Sequence, residues 1–225
     1  MTRPVRGLAR NAGGVPGESR LPRALLSDIG GVLVADQWAR VAHHFAVGSP
    51  RREASLLRAF ARASGQLDLG ECDLQTFYVS VVQETGLTNS FESFRRQVLG
   101  PAIHPIDDNL RFYRSLKENT SLSLVAVTNL GPEISRALQR KVPLRSYFHR
   151  VIRSCDVGAL KPDRAMFDAA LEAVRAAPDE ALFVDDLRAN VAAARRLGIR
   201  SIWIPGPTQL IPALSPFLPQ QDKSV

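Results

Sequence analysis

The stretch Ala24-Leu25-Leu26-Ser27-Asp28-Ile29-Gly30-Gly31-Val32-Leu33-Val34 is an apolar run broken by one acid and two glycines. It reads as a short buried strand that ends in a tight loop. Comparable apolar runs recur at 122–127, 151–152, 181–184 and 201–204, with helical patterns between them. In 163–177 the residues Phe167, Ala170, Leu171 and Val174 keep the i, i+3, i+4, i+7 spacing of one helix face, with Pro162 at the entry as a start signal. Strand and helix in repeated alternation predict a mostly parallel sheet wrapped by helices, the α/β class.

The interval 37–100 departs from that alternation. It reads as helices only, at 38–47, 51–63, 74–84 and 91–99, separated by breaks that contain Gly, Ser, Asp or Asn. Four helices inserted after the first strand predict a cap over the carboxyl edge of the sheet, where open α/β folds bind ligands. The expected organisation is a flexible basic leader at 1–23, a Rossmann-like α/β core at 24–36 and 101–205, the helical cap at 37–100, and a tail at 206–225. Pro207, Pro212, Pro216 and Pro219 punctuate that tail, which is expected to pack loosely or stay disordered.

At 225 residues, 45% hydrophobic and 23% charged, the chain has the composition of a soluble globular protein rather than a disulfide scaffold or a disordered polymer. The formal net charge of +7 raises the question of a polyanionic partner. Arg3, Arg6, Arg10, Arg20 and Arg23 against Glu18 place more than half of that charge in the leader. The rest of the chain offers no basic stripe and no stacking-aromatic motif, so no nucleic-acid partner is expected. No stretch approaches the ~20 apolar residues of a membrane span, and no membrane partner is expected either. Cys72 and Cys155 are too few and too far apart for a disulfide framework, and reduced thiols point to the cytoplasm.

The chemistry is carried by the polar residues that follow the apolar runs. Asp28 ends the first, Thr128-Asn129 the second, Lys161-Pro162 follows the third, and Asp185-Asp186 ends the fourth. In a parallel sheet these ends share one edge. One of these acids alone would also suit a helix cap; four polar strand ends in chain order favour a site. Carboxylates gathered there raise each other's pKa unless a cation intervenes, and Mg²⁺ suits one or two carboxylates, waters and a substrate phosphate. A carboxylate in that basin can attack phosphorus and form an aspartyl-phosphate, while Thr128, Asn129 and Lys161 hold the phosphoryl oxygens.

The order Asp28-Ile29-Gly30-Gly31-Val32, Val127-Thr128-Asn129, Lys161-Pro162 and Phe183-Val184-Asp185-Asp186 resembles the four motifs of the haloacid dehalogenase-like (HAD) hydrolase superfamily, over about 24–205. The segment from Phe183 to Asn190, followed by Leu197-Gly198-Ile199, is most similar to the α-D-glucose-1-phosphate phosphatases and the phosphatase domain of soluble epoxide hydrolases. The resemblance implies a Mg²⁺-dependent phosphatase acting on a small phosphorylated metabolite such as a sugar phosphate, as monomer or homodimer. It makes Asp28 the nucleophile, Thr128 and Asn129 phosphate binders and Lys161 the charge clamp. Asp28, the Gly30 carbonyl and Asp186 would hold the metal, supported by Asp185 and Asn190.

The sequence departs from the family pattern at Gly30, where full phosphatase machinery usually has a second Asp as general acid and base. That loss alone is worth about 10²–10⁴-fold in rate. A catalytically degenerate protein that binds a phosphate ligand or a partner is therefore the alternative, with haloacid dehalogenation ranked below it. His104 is a candidate to replace the missing acid, and Asp36 lies near enough in sequence to reach the site, although loop capping is its simpler role. His43 and His44 are expected on the cap surface or in its core, with at most one facing the substrate. Trp38, Phe45 and Phe77 are expected in the cap core. The acids Asp68, Glu71 and Asp73 around Gly70 are too few and wrongly spaced for a calcium loop.

Overall fold

The computed structural model describes residues 21–218. A parallel sheet is formed by β1 (Ala24–Ser27), β2 (Ser123–Thr128), β3 (Arg150–Arg153), β4 (Ala181–Asp185) and β5 (Arg200–Trp203), in the order β3-β2-β1-β4-β5. Leu25 stands opposite Leu124 on one side and Leu182 on the other. Leu25, Leu124, Ala126, Leu182 and Val184 face one core, and Ala24, Leu26, Val125, Val127 and Phe183 face a second. Burial on both faces is why the central strands β1, β2 and β4 read as near-continuous apolar runs rather than as alternating ones.

Ten α-helices accompany the sheet among the described residues. Four of them, α1 (Gln37–Ala46), α2 (Pro50–Leu69), α3 (Leu74–Thr85) and α4 (Phe91–Val98), follow β1 without an intervening strand. Each starts at a residue suited to it. The side chains of Asp36, Ser49, Asp73 and Ser90 accept from the backbone N–H three residues on, and so satisfy a donor the helix leaves free. Gly70 and Gly86 end α2 and α3 in the left-handed conformation. Phe60, Phe77 and Phe94 are buried together, and the Trp38 ring lies 4.9 Å from that of Phe77. These rings belong to the same core as Leu25 and Leu124, so the four helices are not cored apart from the sheet. Ala35 N donates to His104 O at 2.9 Å and Ile106 N to Leu33 O at 2.9 Å, which ties together the two stretches leading into and out of the helical insertion.

The remaining helices are α5 (Asp107–Asn119), α6 (Pro132–Lys141), α7 (Ser154–Val157), α8 (Arg164–Val174), α9 (Arg188–Arg196) and α10 (Leu210–Leu214). Two expectations change. Helix α2 continues six residues past 63, to Leu69. Gly65 costs a helix about 1 kcal/mol relative to Ala, but burying Leu67, 2% exposed, contributes about 1.5–3 kcal/mol, and burial wins. The tail also folds as far as Leu218: Leu210, Leu214 and Leu218 are buried, and Asn109 Nδ2 donates to Pro207 O at 2.9 Å. Pro207 and Pro216 sit in the first turns of short 3₁₀ helices, where a missing N–H costs nothing. The expectations for 1–20 and 219–225 lie outside the described residues.

Candidate active site

Ser27 pairs with Val184, and Asp28 N donates to Val184 O at 3.0 Å, so Asp28 and Asp185 leave the sheet side by side. The chain steps outward from β1 to β2 and β3, then crosses back to β4 and β5. The edge between β1 and β4 is therefore the crevice where the connections diverge. Lys161 Nζ sits in it, 2.8 Å from Asp28 Oδ1 and 2.8 Å from Asp185 Oδ2. Asp185 is fully buried and saturated. Its Oδ1 accepts from Leu187 N at 2.7 Å and Asn190 Nδ2 at 3.1 Å, and its Oδ2 from Lys161 and from Asn190 Nδ2 at 3.0 Å. A carboxylate has about four lone-pair sites, and all are taken. Asp28 differs: Ile29 N, at 2.7 Å, and Lys161 both address Oδ1, and Oδ2 carries no hydrogen bond from the described residues.

Single oxygens of Asp28, Asp185 and Asp186 lie within 4.8 Å of one another. Burial raises Asp28 to about 7; Lys161 pulls the other way, and Asp185 and Asp186 push further up. Burial, then the Asp185 charge, raises Asp186 to about 6. Burial alone would lower the Lys161 ammonium, but Asp28 and Asp185 hold it above its ordinary value. Three carboxylates against one ammonium leave two negative charges uncompensated, an expensive state in a buried place. Asp185 has no lone pair to offer, so Asp28 and Asp186 are the acids that would ligate. Two carboxylate oxygens short of positive charge fit Mg²⁺.

The two glycines that follow Ile29 differ. Gly31 has φ +66°, and a Cβ there would fall 2.0 Å from Asp186 Oδ2. A Cβ on Gly30 would meet nothing within 4 Å. The missing side chain has thus left open space.

That space belongs to a cavity of about 410 Å³, lined by Asp28, Gly30, Thr128, Asn129, Lys161 and Asp186 at its polar end. Trp38, Leu57, Phe60, Ile134 and Leu138 line it elsewhere. Thr128 is buried at the end of β2. Asn129, expected to bind phosphate, spends its carbonyl on Lys161 N at 2.8 Å and one N–H on Lys161 O at 3.2 Å, locking the lysine loop and keeping one N–H. Asn190 lines the cavity and steadies Asp185.

The sequence matches the model of the haloacid dehalogenase-like hydrolases over residues 22–198. The chain belongs to the haloacid dehalogenase-like hydrolase family. It is 31% identical to a phosphoserine phosphatase of Thermus thermophilus over 102 residues, 45% of this chain and 41% of that protein. It is 37% identical to bifunctional epoxide hydrolase 2 of Sus scrofa over 70 residues, 31% of this chain and 12% of that protein. Aligned, the chain spans less than half the length of these relatives. A HAD-like family hydrolase of Porphyromonas gingivalis superposes with a TM-score of 0.68 at 23% identity, covering 89% of this chain and 100% of that one. A HAD family enzyme of Bacteroides thetaiotaomicron, solved with magnesium and inorganic phosphate, gives 0.61 at 19% identity, covering 81% and 93%. At these identities the two structures share the fold.

Within this HAD-like hydrolase the weaker sequence candidates separate. His104 is exposed and outside the cavity lining, as are His43 and His44. Asp36 lines the cavity but is exposed, and its Oδ1 caps α1 by accepting from Ala39 N at 3.1 Å. Phe45 and Phe77 are buried in the core, whereas Trp38 is half-buried and reaches the cavity. Asp68, which in the sequence is only one of three acids around Gly70, stands in the last turn of α2. It lines the cavity with Asp28. Gly70 as a helix-ending glycine was the available signal, since it would have carried α2 past Gly65 and placed Asp68 on a helix.

Proposed function

We propose that the chain is a Mg²⁺-dependent phosphomonoesterase that passes a phosphoryl group from a small phosphorylated metabolite to Asp28 and then to water. The observation that carries this reading is the Asp28 carboxylate, with Oδ1 fixed by Lys161 and Ile29 and Oδ2 unengaged in the cavity. Oδ2 is then the attacking atom. Lys161, the Thr128 hydroxyl and the remaining Asn129 N–H would hold phosphoryl oxygens as charge redistributes. Mg²⁺, when bound by Asp28, Asp186 and the Gly30 carbonyl, would neutralise phosphoryl charge. Asp185 and Asn190 would keep Lys161 and the metal-side loop in register.

Two supports come from outside the chain: a phosphoserine phosphatase among the relatives, and a neighbour of the same fold solved with magnesium and phosphate. Dehalogenation needs no metal, whereas the carboxylates gathered beside Asp28 favour one, which argues against that reaction. The half-buried Trp38 beside polar groups suits a sugar phosphate.

The test is phosphate release from p-nitrophenyl phosphate and a panel of sugar and alkyl phosphates, with and without Mg²⁺. Release is expected to require Mg²⁺ and to vanish in Asp28→Asn; undiminished release in that variant would sink the mechanism. Gly30 supports a second reading, a site that binds phosphate ligands with little turnover. It predicts a nearly silent parent and strong recovery in Gly30→Asp, whose new carboxylate enters open space.

A further inference from the structure

We propose that Asp68, delivered by the helical insertion, is the general acid and base that Gly30 does not supply; the proposal rests on the phosphatase reading above. The end of α2 is seated on the loop that follows β2. Gly131, three residues past Thr128, makes room for it: a Cβ there would lie 2.0 Å from Leu67 O and 3.5 Å from Asp68 Cα. Ser154 Oγ donates to Asp68 O at 2.6 Å and accepts from Leu130 N at 2.9 Å, stitching α2 to the same loop. The Gly131 N–H stands near the Asp68 carboxylate and pulls its pKa down. A Cβ on Gly70 would touch Pro132 at 3.2 Å, so the helix terminus is in close contact as well.

Asp68 is therefore fixed relative to Thr128 and Asn129 and opens onto the cavity that holds Asp28, Gly30 and Lys161. The other candidates are committed elsewhere. Asp36 caps α1, Asp186 belongs to the metal side, Asp185 is saturated, and His104 lies off the cavity. Burial and then the Asp28 charge raise Asp68 to about 7, against the pull of the Gly131 N–H. Both protonation states are thus populated near neutral pH, as a group that gives a proton and later takes one requires.

In the first step Asp28 Oδ2 bonds to phosphorus, the ester P–O bond breaks, and the Asp68 proton passes to the leaving alkoxide. In the second, the Asp68 carboxylate takes a proton from water, the hydroxide oxygen bonds to phosphorus, and the P–O bond to Asp28 breaks. Inorganic phosphate, the Asp28 carboxylate and protonated Asp68 are regenerated.

The experiment compares wild type, Asp68→Asn and Asp68→Asn/Gly30→Asp, each with Mg²⁺. The substrates are p-nitrophenyl phosphate, whose leaving group needs no proton, and the best alkyl phosphate of the panel. Asn keeps an oxygen for the Gly131 N–H, and thermal melting checks that the variants fold. For Asp68→Asn the alkyl ester is expected to lose about 10²–10⁴-fold in kcat with KM within a few-fold. The aryl ester is expected to give a burst of one equivalent of nitrophenolate followed by slow turnover, because dephosphorylation has lost its base. Gly30→Asp is expected to restore alkyl turnover in the double variant. Equal losses on both esters without a burst, or no loss, would overturn the role of Asp68 and leave the phosphatase reading standing. A wild type silent toward every ester would overturn both.

Discussion

A methyl group on Gly31 has nowhere to go, while one on its neighbour Gly30 meets nothing, and this contrast between adjacent residues marks the side of the site on which Asp186 stands. At Gly31 the left-handed φ costs a non-glycine residue about 1–2 kcal/mol, and the Cβ would also drive Asp186 Oδ2 from its place. Gly31→Ala is expected to lower Mg²⁺ affinity by about 10–100-fold, the scale for disturbed support of a metal site, as read by titration calorimetry. Gly30→Ala should lose far less; equal losses would show that Asp186 is not the ligand at risk. Asp28, Thr128 and Asp185 were legible at this scale because each stands at the end of a buried apolar run, whereas Lys161, separated from β3 by α7, stood out through its place in the order of motifs. Saturation of Asp185 was not, since it depends on Leu187 and Asn190 at the start of α9 converging with Lys161 from a distant loop.

At the scale of elements, the junction that matters is α2 against the loop between β2 and α6. Gly131 is extended rather than left-handed, at φ −76°, so its requirement for glycine comes from the approach of Leu67 O and not from backbone strain. Gly131→Ala should push the end of α2 off the loop at a cost of about 1–3 kcal/mol, typical of overpacking. Hydrogen exchange should rise across 64–70, and alkyl phosphate turnover should fall with it while Asp28 is still phosphorylated by p-nitrophenyl phosphate. Unchanged exchange would mean that the loop yields instead. The sequence did not display this junction. Ser64-Gly65 looks like a break, and only the pocket that receives Leu67 overrides it. The prolines after Gly206 likewise hide the i, i+4, i+8 spacing of Leu210, Leu214 and Leu218, which needs α5 nearby to have meaning.

For the whole molecule, the net charge of +7 is a poor guide, because the acids that govern stability are gathered in one cavity. Asp28 and Asp68 are raised to about 7 and Asp186 to about 6, from an ordinary 3.8. Between about pH 4 and 7 the folded, metal-free protein therefore holds protons that the unfolded chain has released. Stability from these groups is fully present below about pH 4 and is lost as pH rises through 6 and 7. Mg²⁺ held by Asp28 and Asp186 in the folded state would displace the protons of those two carboxylates and add stability that grows as they ionise. Melting temperatures measured from pH 5 to 8 in a chelator should fall more steeply for wild type than for Asp28→Asn, which has one raised acid fewer. Added Mg²⁺ should raise the wild-type melting temperature more at pH 8 than at pH 5. A metal-induced rise that is larger at pH 5, or no difference between the two proteins in chelator, would show that the buried carboxylates are not what the cation relieves.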